Sequence, residues 1–517
     1  MTTTLYRNAR VHAPGSPSAF VVADGVFAWV GADAGPGADE TVDLGGAFVT
    51  PAFVDAHVHA TSTGLMLTGL DLHGCATLGE ALARVERAAR ANGGRPILGT
   101  GWDETHWPER RPPTAAELDR AAYGGVVYLS RADVHGAVAS SALLLLAPEA
   151  AGLPGYEGDG LVRLDAHHAV RRVALDALRP SQVREAQRAC LAEAARLGIG
   201  CVHEMSGPDI ASTDDLLSLL AIDDSVDVVG YWGDLGDVTT PAELGVRGAG
   251  GDLFCDGAIG SYTAAFREPY ADDPTRSGRL RYSAGQVAEH VELSVRAGLQ
   301  CGFHVIGDLA VDTVLDGFEQ AAARVGLPAL LAGRHRLEHV EAASPEAVAR
   351  MARLGLVASV QPAFDAEWGG EGRMYEARLG ADRAAGLNPY AAFAREGVVM
   401  AFGADAPVTP IDPWGGVRAA VHHRTSGLGL SPRAAFLAAT RGGRRAAGDD
   451  EGGVIAAGAE ATFAVWDTAP LPARPTDERI AGWSTDAGWS EAGLPDVTTT
   501  PACLRTVVRG RTVWNAN

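Results

Sequence analysis

The pattern of apolar and polar positions divides the chain into two strand-rich ends and an alternating middle. Residues 1–50 contain short strand segments at 5–11 and 19–31, and Asp24-Gly25 is typical of a tight hairpin. The stretch after residue 450 repeats this pattern at 461–467 and 506–514. Such ends predict one small β-sandwich domain assembled from both termini, from residues 1–50 and 451–517.

The middle alternates strand and helix segments. Strands are predicted at 53–58, 199–203, 226–231, 252–256, 300–305, 335–340, 356–360 and 398–402. We expect one helix to begin at Ser181 and another to run from Ser344-Pro345 to Gly355. This alternation predicts an α/β fold, a (β/α)₈ TIM barrel over residues 51–450. Residues 60–195 become a long insertion after the first strand, an expected subdomain with its own strands.

Composition excludes several classes of protein. The formal charge of −21 argues against nucleic acid and anionic membranes as partners, because both attract basic surfaces. The N-terminal residues lack the pattern of a signal peptide, and six scattered cysteines indicate free thiols in a reducing cytoplasm. All 43 basic residues are Arg. A chain without Lys cannot use a Schiff-base or carbamylated lysine.

The main chemical signal is Asp55-Ala56-His57-Val58-His59 at the end of the first predicted strand. Side chains alternate along a strand, so His57 and His59 share one face. Two imidazoles at a strand end are suited to a divalent cation such as zinc. His304, His339 and Asp405 are predicted at the ends of strands five, six and eight, where barrel enzymes build their sites.

These segments resemble the amidohydrolase superfamily, specifically its branch of N-substituted formamide deformylases and YtcJ-like hydrolases. The resemblance covers nearly the whole chain. It rests on 55–59, Asp256-Gly257-Ala258-Ile259-Gly260-Ser261, His304-Val305-Ile306-Gly307-Asp308, Glu338-His339, Val360-Gln361-Pro362, 403–408 and 458–463.

The resemblance implies that His57, His59, His304 and His339 are metal ligands and that Asp405 binds metal and transfers the proton. The branch often has a metal-bridging carbamylated Lys on strand four, where this chain has Asp252. We expect Asp252 to replace it as the bridge, with Glu204 as a competing carboxylate. The number of divalent ions, one or two, remains open, and zinc is the expected metal.

Other residues are candidates for substrate contacts. His135 matches a branch position near the substrate and could donate to a carbonyl oxygen, although a structural role stays open. Trp102 could line a substrate pocket or hold the insertion together. Asp256, Tyr262 and Trp368 are weaker candidates for the pocket.

The resemblance favours hydrolysis of an amide or formamide C–N bond in a small molecule by metal-activated water. Asp405 would accept the proton of the water, and His135 would assist at the oxyanion. Lactone or ester hydrolysis, deamination and decarboxylation on the same site are alternatives, because the fold does not fix the chemistry. A non-enzymatic protein on this fold should lack part of the ligand set. Whether the protein forms a homodimer is open.

Overall fold

A barrel of parallel strands forms the centre of the computed structural model, which describes residues 3–32, 35–91, 93–468, 494 and 497–516. Its eight strands are β1 (Phe53–Val58), β2 (Ile199–Ser206), β3 (Asp227–Trp232), β4 (Gly248–Ala249), β5 (Gln300–Val305), β6 (Arg336–His339), β7 (Val357–Val360) and β8 (Met400–Phe402). The backbone N–H of Asp405 donates to the His57 carbonyl at 2.8 Å, and that of His59 donates to the Ala406 carbonyl at 2.9 Å. These bonds join β8 to β1, so the sheet closes.

Helices cover the barrel, and all its strands except the first half of β3 are buried along their length, as expected for parallel strands packed on both faces. Ser344 caps the helix Pro345–Leu354, and Gly355 ends it in the left-handed conformation, as predicted. The helix expected to begin at Ser181 instead begins at Pro180. Apart from the helices between Leu78 and Asp176, which are given below, the helices from β1 onward are Ala60–Thr68, Pro180–Arg196, Thr213–Leu220, Thr239–Leu244, Ala284–Ala297, Asp308–Val325, Leu327–Gly333, Pro345–Leu354, Pro362–Trp368, Met374–Leu379, Ala381–Ala384, Tyr390–Glu396, Pro413–Val421, Pro432–Leu437 and Gly443–Ala446.

The fourth strand differs from its prediction. It spans Gly248–Ala249, and the predicted segment 252–256 lies beyond its end. Gly250 and Gly251 have φ values of +138° and +98°, which turn the chain out of the sheet. The segment still follows β5, because the His304 backbone N–H donates to the Leu253 carbonyl at 3.0 Å. Asp252 therefore lies at the carboxyl end of β4.

Two further sheets contain the terminal strands. One has Thr3–Arg7, Ala19–Ala23, Val26–Gly31 and Glu40–Asp43; the other has Arg10–Val11, Phe48–Pro51, Phe463–Asp467, Ala502–Val508 and Arg511–Asn515. The second sheet combines strands from both ends of the chain, as expected. The predicted hairpin is present, with Asp24 and Gly25 at φ +49° and +79° between antiparallel strands. The domain limits at residues 50 and 450 stay predictions.

The insertion has its own sheet and hydrophobic core. Its strands are Leu70–Asp71, Ile97–Trp102, Val127–Arg131, Gly136–Ala139 and Leu161–Arg163. Its helices are Leu78–Ala91, Ala115–Ala121, Ser141–Leu146 and Leu164–Asp176, with short 3₁₀ turns at Glu104–His106 and Pro148–Gly152. Trp102 and Trp107 are each 1% exposed in this core.

Among the described residues, no helix is both long enough and apolar enough to cross a membrane.

Candidate metal centre

Four histidines and two aspartates converge at the carboxyl ends of the barrel strands. We call them the six-residue centre: His57, His59, Asp252, His304, His339 and Asp405. All six are buried. They come from the ends of β1, β4, β5, β6 and β8, which the sequence separates by up to about 350 residues and the barrel brings together.

Asp252 lies between two pairs of histidines. Its Oδ1 is 3.1 Å from His304 Nδ1 and 3.4 Å from His339 Nε2. Its Oδ2 is 3.5 Å from His59 Nε2 and 3.8 Å from His57 Nε2. One carboxylate oxygen therefore faces each pair, which is the arrangement that a bridging carboxylate requires.

Asp405 faces the first pair of histidines. Its Oδ1 is 3.3 Å from His57 Nε2 and 3.2 Å from His59 Nε2, and its Oδ2 is 3.9 Å from His339 Nδ1. Two groups of potential ligand atoms are compact enough to hold one ion each. They are His57, His59 and Asp405, and His57, Asp252 and His339; both contain His57.

Each histidine of the centre has its other ring nitrogen bonded to an oxygen outside the centre. The four contacts are His57 Nδ1 with Glu338 Oε2 at 2.8 Å, His59 Nδ1 with the Met205 carbonyl at 2.9 Å, His304 Nε2 with the Gly257 carbonyl at 3.3 Å, and His339 Nδ1 with Gln361 Oε1 at 2.8 Å. With that nitrogen donating, the remaining nitrogen of each ring presents a lone pair inward. Metal-binding histidines are oriented in this way.

Two buried atoms of the centre lack a hydrogen-bond partner among the described residues: His57 Nε2 and Asp405 Oδ1. Buried polar atoms without partners are costly, so an absent partner is expected. Imidazole nitrogen and carboxylate oxygen are the donors that zinc and similar divalent cations bind. The residues therefore fit a divalent metal ion.

The electrostatics favour a cation in the same place. Burial opposes ionisation of Asp252, but its close contacts with the His304 and His339 rings and the charge of His57 hold the pKa of this carboxyl well below its usual range. Burial likewise opposes ionisation of Asp405, whereas His57 and His59 lower its pKa. Burial also disfavours the charged form of His339, yet the carboxylates raise its pKa to about 10. The carboxylates thus stabilise positive charge at the centre.

The backbone is strained at two of the six residues. His339 has φ +67° and Asp405 has φ +53°, in the left-handed region that residues other than glycine seldom adopt. Such conformations persist where the surroundings hold them, and they are frequent in functional sites. Here they place the side chains of His339 and Asp405 into the centre.

A small cavity of about 20 Å³ adjoins the centre. Its lining includes His304, His339, Asp405, His135 and Trp368. The His135 ring lies 5.2 Å from that of His304, and burial followed by the charge of His304 lowers the pKa of His135 to about 3. Two of the predicted substrate contacts, His135 and Trp368, are therefore beside the centre.

The other predicted substrate contacts have different surroundings. Trp102 is buried in the insertion core, where its Nε1 donates to the Leu129 carbonyl at 2.9 Å, which agrees with the second of the two roles that the sequence left open. Tyr262 is half-buried between the guanidinium groups of Arg276 and Arg378, and its hydroxyl donates to Asp272.

Asp256 organises the backbone. Its carboxylate accepts from the N–H groups of Ala265, Ile306 and Gly307 at 2.8–3.0 Å, and burial raises its pKa to about 6. It therefore fixes the loop after β5, next to His304.

Glu204 does not compete for the bridging position. Its Oε2 accepts from the Ala60 N–H at 2.7 Å, and burial raises its pKa to about 8. Neither group of potential metal ligands among the described residues includes it. The sequence left open whether Asp252 or Glu204 is the bridging carboxylate, and Asp252 is the one whose oxygens face the two pairs of histidines.

The sequence interpretation missed the roles of Glu338 and Arg336 on β6. The Arg336 guanidinium contacts both oxygens of Glu338, which in turn holds His57. Burial opposes ionisation of Glu338, but Arg336 keeps its pKa below the usual range. The available signal was the alternation Arg336-Leu337-Glu338, which places two charges on one face of a buried strand.

A larger cavity of about 870 Å³ lies between the insertion and the loops after β7 and β8. His73, Cys75 and Asp103 line it from the insertion, and Pro362 and Asp412 from the barrel. It shares Trp368 and Val408 with the small cavity. Of these two cavities, the small one is lined by His304, His339 and Asp405.

Comparison with known proteins agrees with this fold and shows the family. The chain belongs to the amidohydrolase family, whose model matches residues 40–514. It is 28% identical to YtcJ of Bacillus subtilis, named as an amidohydrolase, over 75% of each chain. It is 27% identical to the N-substituted formamide deformylase of Arthrobacter pascens, over 64% of this chain and 66% of that protein. An uncharacterized metal-dependent hydrolase from Pyrococcus horikoshii has a similar structure, with 25% identity, a TM-score of 0.74, and 91% and 98% of the two chains covered.

Proposed function

We propose that the protein is a metal-dependent hydrolase that cleaves an amide or formamide C–N bond of a small molecule. The observation that carries this proposal is the orientation of the four histidines, each bonded outward through one ring nitrogen and directed inward through the other. The amidohydrolase family, the likeness to a formamide deformylase and the likeness to a metal-dependent hydrolase support it.

We assign the six-residue centre as the metal-binding site, with Asp252 between two ions and zinc as the expected metal. A divalent cation bound here would lower the pKa of a water molecule from 15.7 to roughly 7. His57 and His59 would hold an ion on one side of Asp252, and His304 and His339 would hold one on the other. Glu338 and Gln361 fix the rings of His57 and His339 for this role.

Asp405 transfers the proton in this mechanism. Its carboxylate is ionised, because His57 and His59 outweigh the effect of burial, so it can accept the proton of the attacking water. It then passes that proton to the leaving nitrogen, and the C–N bond breaks. His135 is neutral near pH 7 and can donate an N–H to the carbonyl oxygen as charge develops there.

The surroundings of the protein are part of the proposal. All six cysteines are free thiols, which supports a reducing, cytoplasmic location. Homodimer formation is a question for measurement of the molecular mass in solution.

A substrate panel tests the proposal. The purified enzyme would be assayed against formamides, acylated amines, cyclic amides, lactones, esters and amino-heterocycles, with products identified by mass. We expect release of an amine and a carboxylate from the amide substrates, loss of this activity after chelation, and recovery when zinc is restored. Faster turnover of lactones, or release of ammonia or carbon dioxide instead, would contradict the assignment.

A further inference from the structure

The small cavity beside the centre contains a carboxylate that the mechanism above does not use. Glu341 follows β6 by two residues and lines this cavity together with His304, His339 and Asp405. Glu341 is 3% exposed to solvent. Among the described residues, no arginine or histidine nitrogen forms an ion pair with it within 4.0 Å. A buried carboxylate without a cationic partner is costly, so a functional reason for it is expected.

Glu341 is held in place from two directions. The Tyr375 hydroxyl donates to its Oε2, and Tyr375 itself is 2% exposed and lines the same cavity. The Asn388 backbone N–H donates to the Glu341 carbonyl at 2.7 Å. The first bond orients the carboxylate and the second holds the backbone of Glu341, so less conformational entropy is lost when the carboxylate binds a ligand.

The rest of the lining is largely apolar. Ile306, Phe364, Trp368, Met374 and Val408 border the cavity, and the Phe364 ring stacks on that of His339 with centroids 6.0 Å apart. A substrate group beside Glu341 therefore meets a hydrogen-bond acceptor next to an apolar wall, while the carboxylates of Asp133 and Asp405 line other parts of the cavity. An acceptor in such a setting discriminates strongly between a group that donates a hydrogen bond and one that does not.

We propose that Glu341, positioned by Tyr375, is the subsite for the leaving nitrogen: its carboxylate accepts a hydrogen bond from the N–H of a secondary amide or formamide. The same carboxylate then binds the ammonium form of the released amine. The subsite selects substrates that have an N–H at the scissile bond and an apolar N-substituent. This inference rests on the proposed function for its substrate class.

The kinetic test compares N-benzylformamide with benzyl formate, in which oxygen replaces the N–H group. Glu341→Met removes the acceptor, Glu341→Gln keeps a neutral acceptor, and Tyr375→Phe removes the positioning hydroxyl. Exposed Glu346, in the first turn of the helix after β6, supplies the matched control Glu346→Gln. Metal content of each variant is measured alongside kcat/KM.

We expect Glu341→Met to lower kcat/KM for the formamide by roughly 10- to 100-fold, the range for hydrogen bonds to charged groups. The ester should change by less than about threefold, since it has no N–H to lose. The kcat/KM values of Glu341→Gln and Tyr375→Phe for the formamide should lie between those of Glu341→Met and the wild type. The value of Glu346→Gln should match that of the wild type. An equal loss of kcat/KM on both substrates would mean that Glu341 only maintains the structure of the centre, and it would overturn the proposal. If Glu341→Met loses metal, the same comparison in Glu341→Gln and Tyr375→Phe decides the question.

A binding measurement separates this inference from the proposed function. If the wild-type enzyme hydrolyses no amide or formamide of the substrate panel, the proposed function fails, and calorimetric titration with benzylammonium and benzyl alcohol still tests the subsite. We expect the wild-type protein to bind benzylammonium at least about tenfold more tightly than the alcohol and Glu341→Met to lose this preference. Equal affinity for the two probes in the wild-type protein would refute the subsite.

Discussion

The insertion and the mouth of the barrel both bury charged side chains, but their partners are arranged differently. In the insertion, Arg131 is buried and its three guanidinium nitrogens each contact a carboxylate, those of Asp103, Glu104 and Asp133, at 2.8–3.0 Å. In the barrel, His57 Nε2 and Asp405 Oδ1 have no hydrogen-bond partner among the described residues. The ion pairs of Arg131 hold the insertion together, whereas the unpartnered atoms of the centre lie among four histidines and two carboxylates, where a cation is the expected partner.

The two tryptophans considered as substrate contacts show the same contrast. Trp102 packs in the core of the insertion and satisfies its Nε1 with a backbone carbonyl. Trp368 is half-buried and borders both cavities near the centre. An aromatic residue in an acidic segment of the sequence is therefore not by itself a sign of a binding surface.

The largest effect on activity should come from a change at Asp405, whose Oδ1 has no hydrogen-bond partner among the described residues. Asp405→Asn should lower kcat by a factor on the order of 10² to 10⁴, because an amide cannot accept the proton of the attacking water. The folded structure should remain, since Asn has nearly the same shape. Steady-state kinetics beside a circular-dichroism spectrum would check this, and a kcat near that of wild type would show that Asp405 has another role.

The second effect concerns metal content. Asp252→Ala should lose one metal ion or bind both more weakly, because each of its oxygens faces one pair of histidines. Glu204→Gln is the matched control and should keep the full metal content, since Glu204 bonds to the Ala60 N–H instead. Elemental analysis of both variants measures this. Metal loss in the Glu204 variant alone would reverse the assignment. Because the chain has no Lys, metal binding should also be independent of bicarbonate.

The third effect should distinguish the role of Trp368 from that of Trp102. Trp368→Ala should raise KM for the amide substrate, since this ring borders the cavity at the centre. Trp102→Phe should leave kcat/KM within about twofold but lower the free energy of unfolding by roughly 1–3 kcal/mol, because the Leu129 carbonyl loses its partner in the core. Kinetics and urea unfolding of both variants would test the contrast, and the opposite pattern would place the substrate against the insertion core.

The smallest effect is on stability alone and depends on pH. Burial raises the pKa of Glu204 to about 8, whereas its usual value is 4.5. Between these values the folded protein binds more protons than the unfolded chain, so this group lowers stability as pH rises through the window. Glu204→Gln cannot ionise. Its stability relative to wild type should therefore improve by an amount on the order of a few kcal/mol from pH 5 to pH 9. Unfolding midpoints at both pH values would show it, and a constant difference would contradict the raised pKa.

Much of this architecture could be predicted from the sequence, because periodicity and caps are local signals. The alternating segments indicated eight strands, and Ser344-Pro345 with Gly355 marked one helix correctly. Strand four was predicted too far along the chain, because its regular part is only Gly248–Ala249. Apolar Leu253 and Phe254 gave a strand-like pattern to a segment that pairs with β5 through isolated bonds.

The candidate site was less predictable where it depends on distant contacts. The His57–His59 spacing and the strand-end positions of His304, His339 and Asp405 can be seen in the sequence. The contact between Glu338 and His57 spans 281 residues, and that between Tyr375 and Glu341 joins the helix Met374–Leu379 to the loop after β6. No local pattern encodes such pairs. Asp252 was favoured over Glu204 by its strand position, and the facing of its two oxygens required the structure.

The central claim is that Asp252 lies between two metal ions, each with a pair of histidines. Anomalous diffraction at the zinc edge, from crystals of zinc-reconstituted protein, tests it directly. The account predicts two peaks roughly 3.5–4 Å apart with one Asp252 oxygen directed at each. A single peak bound by His57, His59 and Asp405, with Asp252 turned away, would contradict it.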